Sequence, residues 1–92
     1  MVAATLNYTK ITDPTMREAV ELYIERGIKP GSFLQAVISN DLVGAMAHAH
    51  RALTADDIRD IVQWFYWEAP HTCFGSREKL EHWHEHRAST GD

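Results

Sequence analysis

The spacing of apolar residues along the chain predicts a series of helices. Between residues 13 and 27 the apolar side chains recur every three or four positions and share one arc of a helical wheel, while glutamates occupy the opposite arc. The same period runs from residue 32 to about 51, from 55 to 68 and from 77 to about 87. The positions that carry it are Met16, Ala19, Val20, Tyr23 and Ile24; Phe33, Leu34, Val37, Ile38, Leu42, Val43, Ala45, Met46 and Ala49; Ile58, Ile61, Val62 and Phe65; and Leu80 and Trp83. We therefore predict an all-α fold, a small bundle of four or five helices.

Residues with known capping preferences mark the ends of these helices. Asp13 can cap the first helix, and Gly27 can close it in the left-handed conformation. Ser32 and Gln35 have the spacing of a capping box at the start of the second helix. Near Asn40, either one helix continues or Asn40 caps a new helix at a bend. The polar side chains around Asn40 compete with helical hydrogen bonds, which favours the bend.

The two ends of the chain lack a helical pattern. Residues 1–12 alternate weakly and contain three threonines, which predicts an extended N-terminal arm. Because an isolated strand cannot satisfy its own backbone groups, this arm must lie along the helices or pair with a second copy. We expect a single helical domain over residues 13–87 and a disordered tail over residues 88–92.

Composition narrows the class of protein. The chain has 92 residues, 13 acidic against 9 basic side chains and a net charge of −4, which argues against a general binder of nucleic acid. The acidic, aromatic segment 55–68 would also be repelled from a DNA groove. A single cysteine excludes an internal disulfide, and no apolar run reaches the roughly 20 residues of a membrane span. We expect a cytoplasmic protein that binds neither a membrane nor a cofactor.

Two glycine-serine pairs precede predicted helices, and basic residues flank both. A helix N-terminus presents free amide groups and the positive end of the helix dipole, so it can bind phosphate or carboxylate. Serine and glycine are also ordinary capping and loop residues, and this simpler interpretation stays open. The residues of the two predicted anion sites are Arg26, Lys29, Gly31 and Ser32 for the first and Gly75, Ser76, Arg77 and Lys79 for the second.

Four consecutive aromatic residues, Trp64 to Trp67, lie in one predicted helix. One helix cannot bury all four on one face, so at least one tryptophan must meet a neighbouring helix, a partner chain or a ligand. An interface between identical chains is the favoured interpretation, because tryptophan and tyrosine supply large contact areas. Stacking of Trp64 or Trp67 on a nucleobase is the alternative.

The histidines and the cysteine near the C-terminus do not form a recognisable catalytic motif. His82 and His86 lie four positions apart and could share a zinc ion, but no H-E-x-x-H pattern is present, and solvated surface histidines are the favoured interpretation. Cys73 lies two residues after His71, with no third group legible to orient a catalytic pair. We therefore predict a protein that is not an enzyme and holds no metal.

One stretch of sequence is similar to a known group of proteins. Residues 25–34, E-R-G-I-K-P-G-S-F-L, are followed by N-D-L at 40–42 and by G-S-x-E-K at 75–79. This pattern resembles a family of small helical bacteriophage and prophage proteins over roughly residues 20–84. The family has no assigned activity, so the resemblance transfers no functional residue. It implies an accessory protein made inside an infected bacterium.

Two functions are compatible with these features. The leading hypothesis is an anti-defence protein that binds and sequesters a small anionic, nucleotide-derived signal of the host, with a pocket shared between identical subunits. The alternative is an inhibitor or adaptor that binds a host defence protein through the acidic and aromatic surface of residues 54–70. A minor role in phage assembly or regulation is a third possibility.

Overall fold

The computed structural model describes residues 6–49 and 53–90, and in these ranges it is entirely helical, without strands. It confirms the predicted all-α bundle. The elements are α1 (Pro14–Arg26), α2 (Ser32–Ile38), α3 (Leu42–Ala47), α4 (Ala55–Trp67), a 3₁₀ turn (His71–Cys73) and α5 (Arg77–Thr90). None of these helices is long and apolar enough to cross a membrane.

The ends of α1 are formed as predicted. The Asp13 carboxylate accepts a hydrogen bond from the Thr15 amide at 3.3 Å, and Pro14 occupies the first turn. Gly27 adopts a left-handed φ of 71° and donates its amide hydrogen to the Tyr23 carbonyl at 2.9 Å. Because a side chain would strain this conformation, glycine allows α1 to end sharply and the chain to turn towards α2.

The chain bends between α2 and α3, so the prediction of a break near Asn40 is confirmed. Asn40 is left-handed, with φ of 65°, and asparagine tolerates this conformation better than most residues. The cap of α3, however, is Asp41 and not Asn40, because the Asp41 carboxylate accepts the Gly44 amide at 2.9 Å. Asn40 therefore makes the turn, and Asp41 caps the N-terminus of α3.

The predicted capping box at Ser32 and Gln35 is wrong. Gly31 is the N-cap of α2, and Ser32 is already helical, so its hydroxyl does not cap the first turn. Gln35 instead donates its amide to the Pro30 carbonyl at 2.8 Å. A capping box does form at α4, where Thr54 and Asp57 exchange two hydrogen bonds of 3.0 Å. The backbone hydrogen bond from Thr54 lowers the pKa of Asp57.

Residues 6–12 of the N-terminal arm lie against the helices, one of the two placements predicted for it. The Tyr8 ring stacks on Trp64 with centroids 5.0 Å apart, and its hydroxyl donates to Glu25 at 2.8 Å. Ile11 is fully buried, and its carbonyl accepts a hydrogen bond from the Nε of Arg17. Residues 1–5 lie outside the described part of the chain.

The last helix extends further than the sequence pattern predicted. It continues through Thr90, so residues 88–90 are helical where we expected a disordered tail to begin. Residues 91 and 92 lie outside the described ranges. The inward residues of α5 are Leu80 and Trp83, as the helical period predicted.

A single apolar core joins the helices and the arm. Helices α1 and α2 both pack against α5, and α2 also packs against α3. Each element between the arm and α5 contributes at least one buried side chain. The largest fully buried side chains are Trp64, Tyr23, Phe65, Ile11, Ile38, Ile61, Leu80, Val20 and Cys73.

Candidate functional site

The outer face of α4 carries an exposed tryptophan beside a surface pocket. Trp67 is 71% exposed, and its ring meets the exposed Tyr66 ring edge to face at 4.8 Å. The pocket next to it has a volume of about 280 Å³. It is lined by Lys10, Asp60, Gln63, Trp64, Trp67 and Glu68.

The geometry of α4 places an acidic side chain and an indole ring on one strip. Asp60 and Trp67 are seven residues apart, so they lie almost in line along the helix, two turns from each other. The opposite side of α4 is anchored in the core by Ile61 and Phe65, which are nearly fully buried. Burial of that side leaves the strip with Asp60 and Trp67 facing solvent.

The charges of this pocket are mostly negative. Neither the Asp60 carboxylate nor the Glu68 carboxylate takes part in an ion pair or hydrogen bond within residues 6–49 and 53–90. Lys10 also lines the pocket but lies within 4 Å of neither carboxylate oxygen, since it makes no salt bridge. An indole face beside carboxylates attracts a cation, through the ring quadrupole and through charge. The pocket can therefore receive an ammonium or guanidinium group.

Trp64 is not placed to stack on a nucleobase, the alternative that we considered for it. Its side chain is 1% exposed, is stacked on Tyr8 and donates its Nε1 hydrogen to the Asn7 carbonyl at 2.6 Å. Because both the ring face and the polar edge are occupied, this ring is unable to stack on a ligand base. Of the two predicted stacking residues, only Trp67 remains available.

The two glycine-serine helix starts lie close to each other. The Gly75 amide donates to the Ile38 carbonyl at 2.7 Å, and Arg77 donates to the Gln35 side chain at 3.2 Å. Ser32 and Arg77 line the same surface pocket of about 170 Å³. The remaining lining residues are Gln35, Ala36, Asp41, Gly44 and His48.

Acidic groups accompany the basic residues of this second pocket. Lys29 forms a salt bridge of 2.9 Å with Glu81, and this hydrogen bond lowers the pKa of the Glu81 carboxyl. Arg77 is 4.0 Å from the same carboxylate, and Asp41 lines the pocket itself. The positive charge available to an anion is therefore smaller than the sequence suggested.

The other predicted anion-binding residues have structural partners or lie elsewhere. Lys79 directs its Nζ to the His71 carbonyl at 3.3 Å, and the Ser76 hydroxyl caps the Lys79 amide at 3.2 Å. Gly31 is the N-cap of α2, and Arg26, in the last turn of α1, does not line the pocket. Of these eight residues, Ser32 and Arg77 line the same pocket of the single chain, and the assembly of the others around a ligand shared between subunits stays a prediction.

The paired histidines of α5 and the cysteine lie in different surroundings. The His82 and His86 rings stack at 5.9 Å, but no group of three potential metal ligands occurs within the described ranges. Cys73 is fully buried, and this burial raises the pKa of its thiol to about 12. A thiol that stays protonated at neutral pH is a poor nucleophile.

A second exposed surface lies on α3 and was not recognised in the sequence. Leu42, Val43 and Met46 are 75%, 80% and 55% exposed. Between α3 and α4 runs a groove of about 120 Å³, whose walls include Ile58 and Val62. The signal in the sequence is that all six residues of α3, L-V-G-A-M-A, are uncharged and nonpolar, so this helix has no polar side to turn to solvent.

We compared the chain with models of protein families, with curated proteins and with solved structures, and none of the three comparisons found a match.

Proposed function

We propose that this chain is a non-enzymatic interaction protein that binds a basic segment of a partner protein at the Trp67 pocket of α4. The observation that carries the proposal is the exposed Trp67 ring beside two carboxylates, Asp60 and Glu68, that form no ion pair with any cation of the described residues. In the phage context that the sequence resemblance implies, the partner is a defence protein of the infected bacterium.

The chemistry of the pocket supports a lysine or arginine side chain as the group that enters it. A guanidinium or ammonium group over the Trp67 face gains a cation–π contact, and the two carboxylates add charge-assisted hydrogen bonds. The net charge of −4 adds a long-range attraction for a basic partner. An exposed tryptophan is also the residue type most enriched among those that dominate binding energy at interfaces.

A photo-crosslinking experiment tests the proposal directly. Gln63 lies in the pocket and is exposed, so a photoreactive phenylalanine analogue at this position samples the bound partner. The same analogue at Ile28, which is exposed on another part of the chain, is the matched control. We expect a crosslink in bacterial cells from position 63 only, to a peptide that contains lysine or arginine. A crosslinked peptide without a basic residue would contradict the proposal.

Replacing Trp67 is expected to weaken partner binding strongly. Trp67→Ala removes the aromatic face and should lower the affinity for the crosslinked partner about 30-fold, as for an interface hot spot. Because the side chain is mostly exposed, thermal unfolding should be unchanged. Titration calorimetry at low and high salt measures the effect.

Arg77→Ala is the matched control for that experiment, because it removes an exposed charge that does not line the Trp67 pocket. It should leave partner affinity unchanged. The proposal fails if Trp67→Ala binds as tightly as the unchanged protein.

A second candidate function, sequestration of a small anionic nucleotide, rests on the pocket shared by Ser32 and Arg77. Its support is the convergence of a serine hydroxyl, a guanidinium and His48 on one depression. The carboxylates of Asp41 and Glu81 oppose it, and the buried Trp64 removes one of the two predicted stacking rings.

Calorimetric titration with cyclic dinucleotides and with ADP-ribose distinguishes the two functions. Nucleotide sequestration predicts heat of binding that Arg77→Ala abolishes and Trp67→Ala leaves intact. The absence of heat with every nucleotide would contradict this second function without affecting the first.

A further inference from the structure

The outer side of α3 is an apolar surface that no other part of residues 6–49 and 53–90 covers. Helix α3 has six residues, too few to be stable alone, and only Ala45 among them is buried. The side chains of Leu42, Val43 and Met46 are more than half exposed, and they lie next to one another on the surface of the helix. A short helix with an apolar solvent-facing side is stabilised mainly by residues that pack against that side.

The groove beside α3 has the size and lining to receive one aliphatic side chain. Its volume is about 120 Å³, compared with about 150 Å³ for an apolar cavity that holds one benzene molecule. Ile58 and Val62 of α4 form the far wall, and Leu42 and Met46 form the near one. Val43 does not line the groove and is the most exposed of the large apolar side chains in the described residues.

The exposed Val43 side chain next to the groove is an arrangement that suits a two-fold dimer. In such a dimer the same surface of both copies forms the interface. A protruding side chain of each copy therefore fills the groove of the other copy. A two-fold axis beside Leu42 places Val43 of each copy over the groove of its partner. From this shape we infer that two copies of the chain pair through α3 and the α3–α4 groove.

Charge favours a second copy over a basic partner at this surface. Copies of a chain with net charge −4 repel each other, so their contact needs a surface with little charge. Helix α3 has no charged residue, and the one carboxylate at the groove, Asp41, is engaged with the Gly44 amide. The acidic Trp67 pocket offers a basic partner a better site on a different side of α4.

The size of the patch agrees with the core of an ordinary interface. Four large apolar side chains are exposed on α3 and at the α4 wall of the groove: Leu42, Val43, Met46 and Val62. A stable interface buries about 800 Å² per partner and is most apolar at its centre, and these four side chains would form that centre. The polar residues around the patch would supply the rim.

The test is the molecular mass in solution. Sedimentation equilibrium of the full chain between about 1 and 200 µM should show a dimer of about 21 kDa, twice the 10.5 kDa of one chain. Leu42→Glu should raise the dimer dissociation constant at least about 100-fold, because it places like charges in an apolar contact. Leu42 occupies the first turn of an exposed helix, where a glutamate is favourable, so the monomer keeps its fold.

Ile28→Glu is the matched control, since it places the same charge on an exposed apolar residue outside the patch and should leave the dimer intact. A protein that stays monomeric at every concentration overturns the inference. A dimer that Leu42→Glu leaves intact overturns it as well, because the contact then lies elsewhere. Neither outcome bears on Trp67, so the proposed function is tested separately.

Discussion

Trp64→Ala should lower the free energy of unfolding by about 4 kcal/mol, the middle of the range for truncation of a buried tryptophan. The side chain is almost completely buried and touches Tyr8 on one face and the edge of Phe65 at 5.3 Å. Its loss also leaves the Asn7 carbonyl without its hydrogen bond. Because small domains are stable by only about 5–15 kcal/mol in total, this loss is a large fraction of the free energy of unfolding. Urea denaturation followed by circular dichroism measures the change.

Trp67→Ala is the natural control for this measurement. It deletes the same side chain three residues later in the same helix, but from an exposed position. Its effect on stability should stay within about 0.5 kcal/mol, as for other surface substitutions. Equal destabilisation by the two variants would contradict the assignment of Trp64 to the core and of Trp67 to the surface.

This contrast shows what the aromatic run could and could not reveal in the sequence. Helical spacing established that the four aromatic side chains cannot share one face, which is correct. It could not decide which tryptophan is buried, because Tyr8 in the N-terminal arm provides the stacking partner of Trp64 from 56 residues away. A contact between distant segments leaves no trace in the local period of a helix.

The helix boundaries were predictable where one side chain acts on its own helix. Asp13 and Gly27 work through local hydrogen bonds and local φ angles, and both predictions are confirmed. The capping box at Ser32 failed because the helix starts one residue earlier than assumed. Gln35 then finds the Pro30 carbonyl and Arg77 of α5, two partners that a capping motif does not anticipate.

The candidate sites depended even more on tertiary arrangement. The acidic and aromatic character of residues 54–70 was visible in the sequence, but the contribution of Lys10 to the Trp67 pocket was not. Lys29 was expected to be free for phosphate, whereas α5 places Glu81 at 2.9 Å from it. The apolar surface of α3 was missed because the apolar positions of residues 32–51 were assigned to one helical period, although a bend near Asn40 was predicted. The bend redirects the large apolar side chains of α3 towards solvent.

The second large effect is expected at Trp83, which joins α5 to α1. Its Nε1 donates to the Tyr23 carbonyl at 2.9 Å, and the two rings lie 6.4 Å apart. The Tyr23 hydroxyl donates to the Cys73 carbonyl at 2.7 Å, so two separate buried hydrogen bonds of Tyr23 connect α1 to α5 and to the 3₁₀ turn. Removal of Trp83 therefore disturbs the contact between α5 and α1.

Trp83→Ala should cost about 3 to 4 kcal/mol of unfolding free energy, since it deletes a buried indole and leaves a cavity between α1 and α5. Trp83→Phe keeps most of the ring packing but removes the Nε1 donor, so its cost should be about 1 to 2 kcal/mol. Tyr23→Phe, which removes only the hydroxyl, should cost a similar amount. Because the Tyr23 and Trp83 rings are buried neighbours 6.4 Å apart, the Phe double variant should lose less than the sum of the two single losses. Urea unfolding of the four variants gives all these values, and full additivity would show that the two hydrogen bonds act independently.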